Sequence, residues 1–168
     1  MTALTYTVFQ RSTWRTVAVL TLAFWLSSSL ILDLVIMPSL FAAGMMTSPD
    51  FATAGYSIFW IFNRIELVCA AVALTGILVQ QNTEDAASSR HQWTVLSGLA
   101  LLAVTLIFTY GLTPEMSALG LNLNLFDAHQ AVPALMNQMH QGYWLLELSK
   151  LAIGGVLLSW LYRHPNTE

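Results

Sequence analysis

Apolar residues run almost unbroken through four stretches of the chain, residues 17–41, 56–79, 93–112 and 143–162, with polar residues gathered between them. A hydrocarbon core about 30 Å thick takes about 20 residues of helix to cross, because backbone polar groups meet no water there and must pair within the segment. All four stretches reach that length and predict membrane-spanning helices. The first follows Arg11 and Arg15 as a secretory signal would. Its core is too long for one, it holds Asp33, and no small-x-small cleavage pattern follows, so it is read as a span.

The connections are short except for residues 113–142, and sequential helices joined this way favour an up-down-up-down bundle. The expected fold class is therefore all-α, a four-helix transmembrane bundle forming one domain over residues 1–168, with no internal repeat. The longer segment carries Pro114, Pro133 and several amide side chains. A stretch of that length is rarely structureless, so a short helix from about Ala128, N-capped by Asp127, is expected in the loop between the third and fourth spans.

Basic residues fall on one side of this arrangement. Arg11 and Arg15 precede the first span, Arg90 lies between the second and third, and Arg163 follows the fourth, while residues 42–55 and 113–142 hold no Lys or Arg. The positive-inside rule then puts both termini in the cytoplasm and the other two connections on the outer side.

Composition agrees with a lipid bilayer as the main partner. Of the residues 56% are hydrophobic and 9% charged, with a net charge of -3; soluble domains carry about a quarter charged residues. No basic surface exists to neutralise a run of phosphates, which excludes nucleic acid. The single cysteine, Cys69, excludes an intrachain disulfide. No nucleophile elbow, His-Glu-x-x-His, P-loop or dinucleotide glycine pattern occurs, so a non-enzyme is expected.

Five ionisable residues fall inside the spans: Asp33, Arg64, Glu66, Glu147 and Lys150. Each costs about 2.5–3.5 kcal/mol or more near the bilayer centre unless paired or hydrated. With the topology applied, all five lie in the outer half. On the fourth span His140, Tyr143, Glu147, Lys150 and Gly154 form one narrow stripe, along which Glu147 and Lys150 can pair. Glu66 shares a face with Asn63, Cys69, Ala70 and Ala73, whose small residues let a neighbouring helix approach. Arg64 stands about 200° round from Glu66 at the helical repeat, so it either snorkels to lipid headgroups or pairs with Asp33. Thr94, Gly98, Thr105 and Thr109 give the third span a small, polar stripe without charge. The cluster is either a paired network that fixes register or a proton or cation site with a carboxyl to spare. The six tryptophans mostly sit near span ends, as interfacial anchors do.

Met37, Met45, Met46, Met116, Met136 and Met139 all lie at or beyond the outer ends of the spans, with His129 and His140 nearby. Thioether and imidazole together suit copper, above all copper(I), and His129, Met136, Met139 and His140 are the candidate ligands. The alternatives are apolar packing of the methionines and haem ligation by His140 or His129.

The string from Trp25 to Phe41 with its Pro38-x-x-Phe41 ending, followed by Ala54, Gly55, Tyr56, Ile58 and Phe59, resembles an uncharacterised bacterial four-span family grouped with transmembrane-protein-205-like proteins. His140 matches the histidine that opens that family's last span. Met139, Tyr143 and Glu147 stand where the family commonly has leucine, serine and asparagine. The fragment from Tyr143 to Leu151 is also similar to a helix of copper-resistance-D-like membrane proteins. The resemblance implies the four-span fold and a bacterial inner membrane. Three readings of function follow: metal handling or transport, with copper favoured; a non-catalytic accessory subunit or assembly factor with a membrane-protein partner or a second copy of itself; and a haem-binding redox protein.

Overall fold

The computed structural model describes residues 2–45, 51–80, 89–126 and 134–163, and all regular structure among them is helical. Four runs are long and apolar enough to cross a membrane: Thr13–Ala42, Thr53–Gln80, Gln92–Gly120 and Ala134–Arg163, spans 1 to 4. Large apolar side chains such as Phe24, Leu34, Ile61, Val68, Leu106, Leu145 and Leu148 point away from the bundle. Such a surface is stable against lipid and not against water.

The helices are α1 (Thr2–Ile31), α2 (Met37–Ala42), α3 (Phe51–Gln80), α4 (Ser89–Ile107), α5 (Thr113–Phe126) and α6 (Ala134–Arg163). Span 1 joins α1 to α2 through a π-turn at Leu32–Ile36, and span 3 joins α4 to α5 through another at Phe108–Leu112. Each π-turn is followed by one residue and then a proline, Pro38 or Pro114. Proline has no N–H to donate, and its ring crowds the carbonyl four residues back. A widened turn ahead of it accommodates both defects: the Met37 N–H reaches Leu32 O and the Thr113 N–H reaches Phe108 O, five residues back instead of four.

Residues 113–142 differ from the sequence expectation for this reason. Pro114 does not end span 3; the chain continues helical to Phe126, and α6 begins at Ala134, well before residue 143. The expected short helix from Ala128 and its cap Asp127 fall on residues 127–133, outside the described residues.

A correspondence between the two halves of the chain is visible in the burial. Shifting span 1 by 76 positions superimposes the two π-turns and prolines, and it also brings Leu22, Trp25, Ser29, Leu32 and Asp33 onto Gly98, Leu101, Thr105, Phe108 and Thr109, all buried. A shift of 81 brings Glu66, Cys69, Ala73 and Gly76 of span 2 onto Glu147, Lys150, Gly154 and Leu157 of span 4, again all buried. Spans 1 and 2 thus share a pattern of buried positions with spans 3 and 4.

Each span packs on its two neighbours in a ring, and the diagonal pairs make no close backbone approach. At one end Arg15 Nε donates to Leu161 O at 3.0 Å, so the start of span 1 lies on the end of span 4. A Cβ on Gly76 would meet Ala18 Cβ at 2.9 Å and Trp14 O at 3.0 Å; glycine is what lets spans 1 and 2 close there. Inward of this end lies an apolar core of Leu22, Trp25, Cys69, Ala70, Ala73, Ile77, Leu101 and Leu157. Beyond that core, toward Pro38, the bundle interior turns polar.

Candidate functional site

Four ionisable side chains occupy the bundle interior: Asp33, Glu66, Glu147 and Lys150, at most 4% exposed. The stripe on span 4 puts Glu147 and Lys150 one turn apart on the inner face, and Glu66 approaches from the diagonal on span 2. Lys150 Nζ lies 2.5 Å from Glu66 Oε1 and 2.7 Å from Glu147 Oε2. The ammonium also stands 5.4 Å from the Phe108 ring centroid and 6.0 Å from that of Trp25, close enough for the ring faces to add to its stabilisation.

Glu66 is fully provided for. Its Oε1 accepts from Trp25 Nε1 at 2.9 Å, Ser29 Oγ at 3.0 Å and the Lys150 ammonium. Three donors, one of them charged, satisfy that oxygen away from water. The equivalent position in the second helical pair has no such donors, because Leu101 and Thr105 stand where Trp25 and Ser29 stand in the first. Thr105 Oγ1 instead donates to Leu102 O at 2.9 Å.

Glu147 and Asp33 are less well served. The Lys150 ammonium supplies Glu147 Oε2 at 2.7 Å, whereas Glu147 Oε1 and Asp33 Oδ2 are buried without an N–H or O–H donor. Asp33 Oδ1 accepts from Tyr143 Oη at 2.7 Å. The Asp33 and Glu147 carboxyls are within hydrogen-bonding reach of one another. Asp33 itself lies in the π-turn of span 1.

A cavity of about 460 Å³ opens above this group at the Pro38 end. Asp33 and Tyr143 form part of its wall, with Phe41, Phe59 and Trp144 among the aromatic residues around it. Met37, Met116, Met136 and His140 line it too. Tyr143 is held by a tilted contact with Phe108 at 5.1 Å and an edge contact with Phe59 at 5.9 Å. Asn63 Nδ2, buried below the cavity, donates to Thr113 Oγ1 at 2.7 Å, joining span 2 to span 3 just past its π-turn.

Of the residues singled out from sequence, Arg64 is not brought into the cluster. It is exposed, its guanidinium lies 3.4 Å over the Trp60 ring, and its Nη1 donates to Trp60 O at 3.1 Å. The angular separation from Glu66 sends one of the two outward, and with Glu66 taken by Lys150 it is Arg64 that leaves. His140 does not serve as a partner of Glu147: its Nδ1 lies 2.9 Å from Met136 O, one turn back. Met136 and His140 reach the cavity wall, Met139 is not among its lining residues, and His129 lies outside the described residues. Among the described residues no three His, Cys, Asp or Glu side chains gather as a metal site. Trp25, read as an interfacial anchor, is buried in the core and binds Glu66. The signal that could have found it is its place one turn before Ser29 and two before Asp33 on a single face.

No curated protein and no solved structure matches the chain. A family model described as Domain of unknown function (DUF4149) matches residues 20–122, which hold most of span 1, all of spans 2 and 3, both π-turns, Asp33 and Glu66, and stop short of Glu147 and Lys150. That match covers more than half of the chain, and the polytopic helical protein described here belongs to the DUF4149 family.

Proposed function

We propose that the protein handles a cation in the membrane, taking it into the cavity above Asp33 as a small transport protein would. One observation carries this reading: a buried carboxylate oxygen without a donor, Asp33 Oδ2, on a residue that lines a chamber of aromatic and thioether side chains. Aromatic faces attract cations, a carboxylate fixes their position, and a volume of about 460 Å³ is that of a small-molecule site. The substrate class that suits such a wall is a lipophilic cation. In the orientation given by the basic residues, the chamber opens to the outer side of a bacterial inner membrane, with both termini cytoplasmic.

Tetraphenylphosphonium binding to the purified protein in detergent tests the proposal. Saturable binding that Asp33→Asn weakens at least about tenfold, a loss of about 1.4 kcal/mol, is the expected result. Binding that is absent, or indifferent to Asp33→Asn, would sink it.

Copper(I) is the second reading, favoured by Met37, Met116, Met136 and His140 on the same wall. Three thioethers and an imidazole form a soft donor set.

A further inference from the structure

We infer that Asp33 and Glu147 share one exchangeable proton, released to the cavity when a cation enters. The exchange rests on the function proposed above; the resting proton does not.

The argument is one of donors. Asp33 and Glu147 carboxyls lie within hydrogen-bonding reach, yet an ionised carboxylate only accepts. Two of their four oxygens, Asp33 Oδ2 and Glu147 Oε1, are buried and meet no N–H or O–H. The groups around them supply nothing more. From span 4, Tyr143 Oη is committed to Asp33 Oδ1, and the Lys150 ammonium is divided between Glu66 Oε1 and Glu147 Oε2. His140 Nδ1 lies against Met136 O. From span 2, Glu66 is another acid, Asn63 donates to Thr113, and Arg64 faces away. From span 3, Thr109 Oγ1 donates to Thr105 O at 2.7 Å. A proton between the two carboxyls is the missing donor.

Charge points the same way. Three acids, Asp33, Glu66 and Glu147, face one base, Lys150, in a sleeve of apolar side chains. Isolated charges in such surroundings are costly unless neutralised. One shared proton removes one of the two unmatched charges. A cation arriving beside Asp33 Oδ2 stabilises both carboxylates, so the O–H bond breaks, its electron pair stays on the oxygen, and the proton leaves through the cavity. Charge in the site is unchanged by the exchange.

Infrared spectroscopy of the full-length protein in detergent tests this without a substrate. At neutral pH a carbonyl band of a protonated carboxylic acid is expected, shifting down in heavy water. Asp33→Asn and Glu147→Gln should each abolish it, because either amide supplies the N–H donor that the proton supplies. Glu115→Gln, on an exposed residue, should leave it in place. No such band in the native protein, or a band that survives either of the first two substitutions, overturns the shared proton, and the native spectrum decides this even where a variant fails to fold. Saturating tetraphenylphosphonium should then remove the band from the native protein. Persistence at saturation overturns the exchange, whereas failure of the cation to bind overturns the proposed function and leaves the resting proton to the spectrum.

Discussion

Lys150 on span 4 reaches Glu66 on span 2 across a diagonal along which the two backbones do not approach, closing to 2.5 Å. Side chains alone bridge that gap. A buried pair of this kind adds little over a well-packed apolar pair, but removing one partner strands the other, at about 3–5 kcal/mol. Lys150→Met is therefore expected to lower the thermal midpoint in detergent sharply, and adding Glu66→Gln to it should recover much of the loss. A Lys150→Met protein as stable as the native one would show that the strut carries no weight.

Ser29→Ala removes one of three donors to Glu66 Oε1. A hydrogen bond to a charged group contributes about 1.5–3 kcal/mol. The loss should fall at the low end of that range, since Trp25 and Lys150 stay on the same oxygen, and chemical unfolding in detergent measures it. Thr105, at the equivalent position on span 3, donates only to its own helix, so Thr105→Ala should cost less.

These residues show what the sequence could and could not say. The spans and the pairing of Glu147 with Lys150 follow from length, hydropathy and helical spacing, because those rules act within one helix. Which helix lies diagonal to which is a tertiary matter, so the Lys150 to Glu66 contact was out of reach, and Trp25 looked like an interfacial tryptophan. Pro114 read as a helix breaker because a π-turn ahead of it leaves no simple residue signature. The two helical pairs share their buried positions, the prolines and a glutamate, but the matched chemistry diverges, Trp25 for Leu101 and Cys69 for Lys150. The correspondence lies in burial and not in residue identity.

Gly76→Ala places a methyl against Ala18 Cβ and the Trp14 carbonyl, a side-chain stub and a backbone atom that cannot swing aside. Overpacking of this kind costs about 1–3 kcal/mol. Gly155→Ala meets nothing within 4 Å and should be neutral or stabilising by the better helix propensity of alanine, about 0.5–1 kcal/mol. Thermal midpoints of the two variants side by side provide the check; equal midpoints would contradict the close approach of spans 1 and 2.

Met136→Leu separates the two kinds of cation. Leucine conserves volume and apolar character, at a stability cost below about 1.5 kcal/mol, but removes the thioether. Tetraphenylphosphonium affinity should be unchanged, whereas copper(I) affinity, read by competition with a chromogenic chelator, should fall at least about tenfold if sulfur ligates. Copper affinity untouched by both Met136→Leu and His140→Ala would remove the copper reading.

Tyr143→Phe asks whether the group at the base of the cavity is built for a ligand or for the fold. The phenyl ring keeps the contacts with Phe59, Phe108 and Trp144, so packing is preserved and only the hydroxyl donor to Asp33 is lost. If the hydroxyl is purely structural, stability falls by the value of one hydrogen bond to a charged acceptor, about 1.5–3 kcal/mol, and ligand affinity does not follow. If Asp33 is the cation's acceptor, the hydroxyl serves to hold that carboxyl aimed at the cavity. Tetraphenylphosphonium affinity should then drop by about tenfold, because a carboxyl without that donor is no longer fixed in place. Measuring the unfolding midpoint and the binding isotherm on the same preparation distinguishes the two outcomes, since only the second couples Tyr143 to the ligand.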